Sequence, residues 1–361
     1  SLINERIKFI MAFTTINNGS LFMNPKIYTG NGGTQTITDV NFEPDLIVTK
    51  GRDLGESPWW TDKVVGLTKY RYSDGNAVDS TYTTAVTGTN SDGYVLGNRN
   101  GFNNNTNTFV SWNWKAGTAV SGNTGGSGTY KTYTGSVNTT SGFSIIQYTG
   151  NGTLGHTIPH HLGVAPSMMI IKITAGDTSD WYVYHKDLGN TGILFLSNTN
   201  AVSNSNAYWN STTPTSSVFT VGDQTGNNSN NNTFISYNFA EVPGFSKMGS
   251  YVGNGNADGT FVYTGFKPAF VMFKMTSEAQ NWGIYDNKRV GYNEVKNVLF
   301  PNLSNAENTD LAPIDLLSNG FKMRRDASAS DQNNKSGGTY IYMAFAEAPL
   351  VGTNNIPANA R

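Results

Sequence analysis

The chain has no cysteine, so neither a disulfide framework nor a thiolate metal site can hold it together. Secreted eukaryotic modules often rely on disulfides, and their absence favours a bacterial or viral origin. Charge is scarce too. Asp, Glu, Lys and Arg make up 14% of the 361 residues and sum to −1. The few Lys and Arg are scattered, without the basic stripe that nucleic acid requires, so nucleic acid is not an expected partner. No apolar run approaches the roughly eighteen residues that read as a membrane span, and membrane insertion is not expected. Ser1 to Ile10 lack the apolar stretch of a signal peptide. Met11 reads as the true start, with residues 1–10 as upstream sequence. Helical spacing of apolar residues is nearly missing as well.

What is present is aromatic and turn-rich. Phe, Trp and Tyr make up 12% of the chain, and Gly, Asn, Thr and Ser fill the gaps between them. Thr233 to Phe239 alternates apolar and polar residues, the period of a strand with one buried face. Met168 to Ile173 is a continuous apolar run, as in a strand covered on both faces. Asn31-Gly32, Asp92-Gly93, Asp258-Gly259 and Asn319-Gly320 supply tight hairpin turns. Many short strands with frequent turns predict an all-β chain of sandwich, jelly-roll or lectin-like type.

The same pattern occurs three times. A Tyr-x-Gly-Asn-Gly turn begins at Tyr28, Tyr148 and Tyr251. An apolar run then leads from proline to lysine: Pro44 to Lys50, Pro166 to Lys172, Pro268 to Lys274. A Trp-containing strand and a Thr-aromatic closing strand follow. A period of roughly one hundred residues exceeds the about 20–50 of solenoids and predicts three folded modules in tandem. The expected division is residues 11–117, 143–244 and 245–361 as β-sandwich modules, with 118–142 as a Gly/Ser/Thr-rich flexible tether, or at most a loose strand pairing around Tyr130 and Tyr133. The spacer between the second and third modules is short, so those two are expected to pack together while the first moves against them.

Candidate chemistry is thin. All four histidines lie in the second copy: His156, His160, His161 and His185. His185 aligns with Asp62 and Asp286, which suits a turn hydrogen-bonder better than a catalyst or a metal ligand. Asn254-x-Asn256-x-Asp258-Gly259 resembles the front of a calcium loop, but its twelfth position is Gly265 rather than a bidentate Glu. No cofactor or metal is therefore predicted. Glu241 and Glu347 close two of the copies and could pair only across modules, against the two close carboxylates of a glycosidase. No nucleophile elbow or triad pattern is found. The chain reads as a non-enzyme.

Aromatic and amide side chains remain. Most tryptophans recur in equivalent strands and read as core. Trp209, in Tyr208-Trp209-Asn210, has no repeat partner and sits in a polar stretch. It is the best candidate for an exposed aromatic that stacks on a sugar ring, with Tyr208 and Asn210 beside it. The Asn-rich stretches before two closing strands add Asn104 and Asn228 as candidate glycan-contacting residues.

Several runs carry a family resemblance: Tyr251 to Lys274, Asp286-Asn-Lys-Arg289, Leu316 to Lys322, Tyr340 to Pro349, His161 to Pro166 and Trp181 to His185. Over nearly the whole chain from Met11 they resemble tandem-repeat virion surface proteins of tailed bacteriophages, especially phages of marine bacteria. The resemblance implies a structural protein of the virion surface, such as a tail fibre or appendage, and it brings no catalytic residues. With the composition above, it leads to an expectation of adhesion to host-surface glycans, strengthened by multivalency. The expected partners are further copies of the chain and other virion proteins. An architectural head-decoration or tail-surface role is the alternative, and a polysaccharide depolymerase comes third.

Overall fold

The alternating runs form strands, and a computed structural model of the chain describes residues 14–326, 332–352 and 359. The expectation for residues 1–10 lies outside the described residues. The chain is all-β: among the described residues, no helix exceeds a single turn. The first copy contains β1 (Met23–Thr29), β2 (Gln35–Ile37), β3 (Leu46–Gly51), β4 (Trp59–Asp62), β5 (Lys69–Tyr72), β6 (Ser80–Thr81), β7 (Val86–Asn90), β8 (Gly93–Leu96) and β9 (Thr108–Trp114). Next come β10 (Thr118–Asn123), β11 (Gly125–Gly126), β12 (Thr132–Asn138), β13 (Phe143–Thr149), β14 (His156–Pro159), β15 (Met168–Ala175), β16 (Tyr182–His185), β17 (Gly192–Phe195), β18 (Ser203–Asn204), β19 (Val218–Val221) and β20 (Thr233–Phe239). The third copy contains β21 (Ser246–Val252), β22 (Phe261–Tyr263), β23 (Phe266–Met275), β24 (Trp282–Asp286), β25 (Ile314–Leu317), β26 (Gly320–Met323) and β27 (Thr339–Pro349).

One antiparallel order recurs in the three large sheets: β1-β9-β3-β4, β13-β20-β15-β16 and β21-β27-β23-β24. The closing strands β9, β20 and β27 are central, with a neighbour on each side, and are buried on both faces. A three-stranded sheet accompanies each large one: β2-β8-β7, β11-β14-β19 and β22-β26-β25. Ile37, Tyr94 and Leu96 of the first small sheet pack with Ile47, Trp59 and Tyr70 of its large sheet. Ile158 and Phe219 meet Ile146 and Tyr148 in the same way.

The other face of each large sheet turns toward a core common to all three copies. The last aromatics of the closing strands, Trp114, Phe239 and Phe345, meet there edge to face. Their ring centroids are 6.3, 5.9 and 5.9 Å apart, which suits the aromatic quadrupole. Around this triangle the contacts run cyclically. The Tyr237 hydroxyl donates to Asp62 at 2.9 Å, the Trp112 indole donates to Asp286 at 3.0 Å, and His185 Nε2 contacts the Tyr342 carbonyl at 3.3 Å. Loops follow the same order: the Ser179 amide donates to Asn76 O, Gln280 to Thr199 O, and Glu307 to Arg52 O. The third copy thus closes back onto the first.

Two expectations are corrected by this arrangement. The first copy is locked into the ring by the buried Arg71–Asp62–Tyr237 contacts and by Arg52–Glu307 at 3.0 Å, so it does not stand apart from a rigid pair. Residues 118–142 are no tether either. β10 and β12 extend the second large sheet to eight strands, with β12 paired to β13 and β10 to β12. β10 is an edge strand that stays exposed and needs no apolar face, so its composition hid it, whereas β12 lies inside the sheet and buries Tyr133 and Val137.

Candidate functional site

The residues singled out for ligand contact are mostly structural. Trp209 is 1% exposed. It closes the one-turn helix α1 (Asn206–Trp209), packs on Tyr184 and donates to the Gly192 carbonyl at 2.9 Å. Its polar flanks lie outward while the indole fills the second core. This corrects the expectation of an exposed aromatic. Tyr208 is half-buried against Tyr182 and Phe195, and Asn210 is the left-handed cap of that helix.

Asn228 is fully buried. Its amide donates to Thr153 O at 2.9 Å and Gly222 O at 2.6 Å, while its Oδ1 accepts from the Asn151 backbone at 3.0 Å. Its counterparts are Asn103 and Asn334, whose Oδ1 atoms accept from the Asn31 and Asn254 backbones. Asn104 is therefore one residue off the equivalent position. It lies half-buried and bonds locally to Asn107.

These asparagines explain the repeated turn. The motif tyrosines donate to the carbonyls of Phe102, Asn227 and Asn333. The first glycine of each turn abuts backbone: a Cβ on Gly30, Gly150 or Gly253 would lie 2.2–2.3 Å from a carbonyl oxygen. Gly32, Gly152 and Gly255 have φ near +70° (70, 70 and 66°), which glycine tolerates.

The histidines are neutral packing elements. Burial pushes His160 and His185 down to about 4. The His156 ring lies between Asn228 Oδ1 and Thr124 Oγ1, at 2.9 and 2.6 Å. Among the described residues, no three His, Asp or Glu side chains gather as a metal site would require.

A different place has the exposure that Trp209 lacks. Phe261 and Tyr263 alternate with buried Val262 on β22, so both rings face outward, 44% and 48% exposed. They flank a groove of about 350 Å³ that wraps the outer side of β21. Lys247 lies over the Tyr263 ring, 5.4 Å from its centroid. Lys186, Asp187 and Glu241 of the second copy form the opposite wall. Lys186 Nζ is 3.0 Å from Asp187 and 3.6 Å from Glu241. Burial would raise the Asp187 carboxyl, but hydrogen bonds from Lys186 and Ser250 outweigh it and hold it below its ordinary value. Glu241 Oε1 accepts from the Met248 backbone at 3.0 Å. The groove continues past Asp187, Ser250 and Tyr251 into a second cleft of about 400 Å³. Aromatic faces beside fixed donors and acceptors, two cationic and two acidic, suit a polar ligand with apolar ring faces.

Sequence reasoning missed this groove, yet a signal was there. Pairing Val262 with Phe321, Ile158 with Phe219 and Ile37 with Tyr94 aligns the three small sheets. Phe261 then stands where the other copies have Thr36 and Thr157, and Tyr263 where they have Thr38 and Pro159. Exposed aromatics unique to one copy were the feature to seek.

The family model described as Domain of unknown function (DUF7483) matches residues 18–349. The chain belongs to this family. The DUF7483 match takes in all three copies, the ring that joins them and the groove. No curated protein and no solved structure matches the chain.

Proposed function

We propose that the chain is a non-enzymatic surface protein of a tailed-phage particle, a tail fibre or appendage, that adheres to glycans on the host surface. Its architecture in this reading is three β-sandwich modules of jelly-roll or lectin-like type, each a large sheet faced by a small one. The partners are further copies of itself, other virion proteins and a host glycan, and it works at the virion surface after lysis. The observation that carries the reading is the groove between the second and third copies, where Phe261 and Tyr263 stand exposed beside Lys186, Asp187, Glu241 and Lys247. An aromatic platform stacks on the apolar face of a sugar, and the polar wall hydrogen-bonds its hydroxyls. The phage assignment rests on the repeated motifs from His161 to Pro166 and Tyr251 to Lys274. Both carboxylates of the groove are held in hydrogen bonds, Asp187 to Lys186 and Glu241 to the Met248 backbone, which suits binding better than proton transfer.

The test is a glycan array probed with protein multimerised on beads, followed by binding to host cells. The double variant Phe261→Ala, Tyr263→Ala should weaken binding about tenfold or more, equivalent to ~1.4 kcal/mol. Absence of any glycan or cell binding at high valency, or a double variant that binds like the parent, would sink the reading.

A further inference from the structure

The three large sheets pose the same problem: an outer strand with unpaired backbone groups, which invites another strand. The equivalent central positions are Pro25, Ile145 and Met248, each three residues before the motif tyrosine. Each copy closes this position differently. Pro25 has no N–H to offer. The Met248 N–H donates to the Glu241 carboxylate at 3.0 Å. Ile145 is covered by an added strand, pairing with Ser136 of β12. That addition moves the free edge outward to β10.

The opposite edges are closed as well. β6 and β18 are two residues long. The outer side of β24 is bridged by Leu299, whose carbonyl accepts from Ile284 at 2.8 Å. Among the described residues, β10 alone of these edges has no guard. Thr118–Asn123 has no proline and no charged residue, and its six-residue register with β12 is unbroken by any bulge. Every side chain along it is exposed except half-buried Val120.

We infer that two copies of the chain associate by pairing their β10 strands antiparallel across a twofold axis, joining their eight-stranded sheets into one. The strand itself argues for a second copy rather than a foreign peptide. Peptides that add to a sheet edge are selected by pockets for alternate side chains. β10 offers only small Thr, Ala, Val, Ser, Gly and Asn residues, so main-chain bonds carry the contact. A strand without charge places no like charges opposite its own twin, and a net charge of −1 adds little repulsion between copies. The contact is smaller than the about 1,200 Å² of stable interfaces, so the dimer is a weak, reversible one. It doubles the number of grooves per particle and gains strength wherever copies are held close together.

Sedimentation equilibrium of the full chain over a wide concentration range tests this. The parent protein should show a reversible monomer–dimer equilibrium. The variant Ala119→Lys, Ser121→Lys places lysines on the edge and should weaken dimerisation at least tenfold with an unchanged melting temperature. Tyr292→Lys, a control at an exposed site in the third copy, should dimerise like the parent. Hydrogen exchange on the parent gives a readout independent of any variant: the β10 amides that point away from β12 should become protected as the concentration rises, while those bonded to β12 are protected throughout. A parent that stays monomeric, a lysine variant that dimerises normally, or a dimer that leaves the outward β10 amides unprotected would each overturn the inference. So would outward β10 amides already protected in dilute monomer, which would mean that a segment of the same chain covers the edge.

Discussion

Each Gly-Asn-Gly turn is held by one buried amide side chain, so the three asparagines Asn103, Asn228 and Asn334 carry local order out of proportion to their number. Asn228 spends both donors and its oxygen on backbone groups that have no other route to water. Asn228→Ala should orphan those groups and cost about 3 kcal/mol, whereas Asn104→Ala, half-buried and locally bonded, should stay within about 0.5 kcal/mol. Urea unfolding of the two variants separates the cases, and equal losses would refute the assignment. His185 gives a second prediction at this scale. It is buried between the Asp187 amide at Nδ1 and the Tyr342 carbonyl at Nε2, with Lys186 and Asp187 nearby. Burial lowers its pKa from 6.5 to about 4. The unfolded chain therefore binds more protons between those values. The stability His185 contributes is complete above pH 6.5 and is lost as pH falls toward 4. Between pH 7 and pH 5 the parent should lose about 2 kcal/mol more than His185→Asn. Parallel stability profiles for the two proteins would show that His185 does not titrate on unfolding.

Strands were legible wherever burial left an alternation or a run, as in the Pro-to-Lys segments that became β3, β15 and the end of β23. The terminal lysines of those runs also have a reason. Lys50 reaches the Ser304 carbonyl at 2.8 Å and Lys172 reaches Asn76 O at 2.8 Å, both in the neighbouring copy. Burial lowers both to about 8, and Lys274 likewise. What stayed hidden has a common cause. β10 is exposed on both faces, so no periodicity marks it, and only pairing with β12 reveals it. Trp209 was misread because neighbouring polarity says nothing about which way a one-turn helix points. The groove was missed for a related reason. Phe-Val-Tyr at Phe261–Tyr263 reads as a buried strand, yet β22 is an edge of its sheet and presents two of its three side chains to solvent.

At the scale of the whole molecule, three copies arranged in a ring share one core, and that changes what a single substitution can do. A hundred-residue unit with its own core could unfold alone. Here one face of every large sheet is buried only by the other two copies, and the contacts meet at Trp114, Phe239 and Phe345. Trp114 also packs edge to face on Phe270, 5.6 Å away. Trp114→Ala removes the largest ring at this junction and should cost about 3–5 kcal/mol. The location of the loss is the sharper prediction. Residue-resolved hydrogen exchange should show protection falling in β9, β20 and β27 alike, because none of the three closing strands keeps its packing when the triangle is broken. In calorimetry the parent should unfold in one transition, and the variant should keep a single transition at lower temperature. Loss of protection confined to β9, with β20 and β27 unchanged, would mean that the copies are independent domains that merely touch.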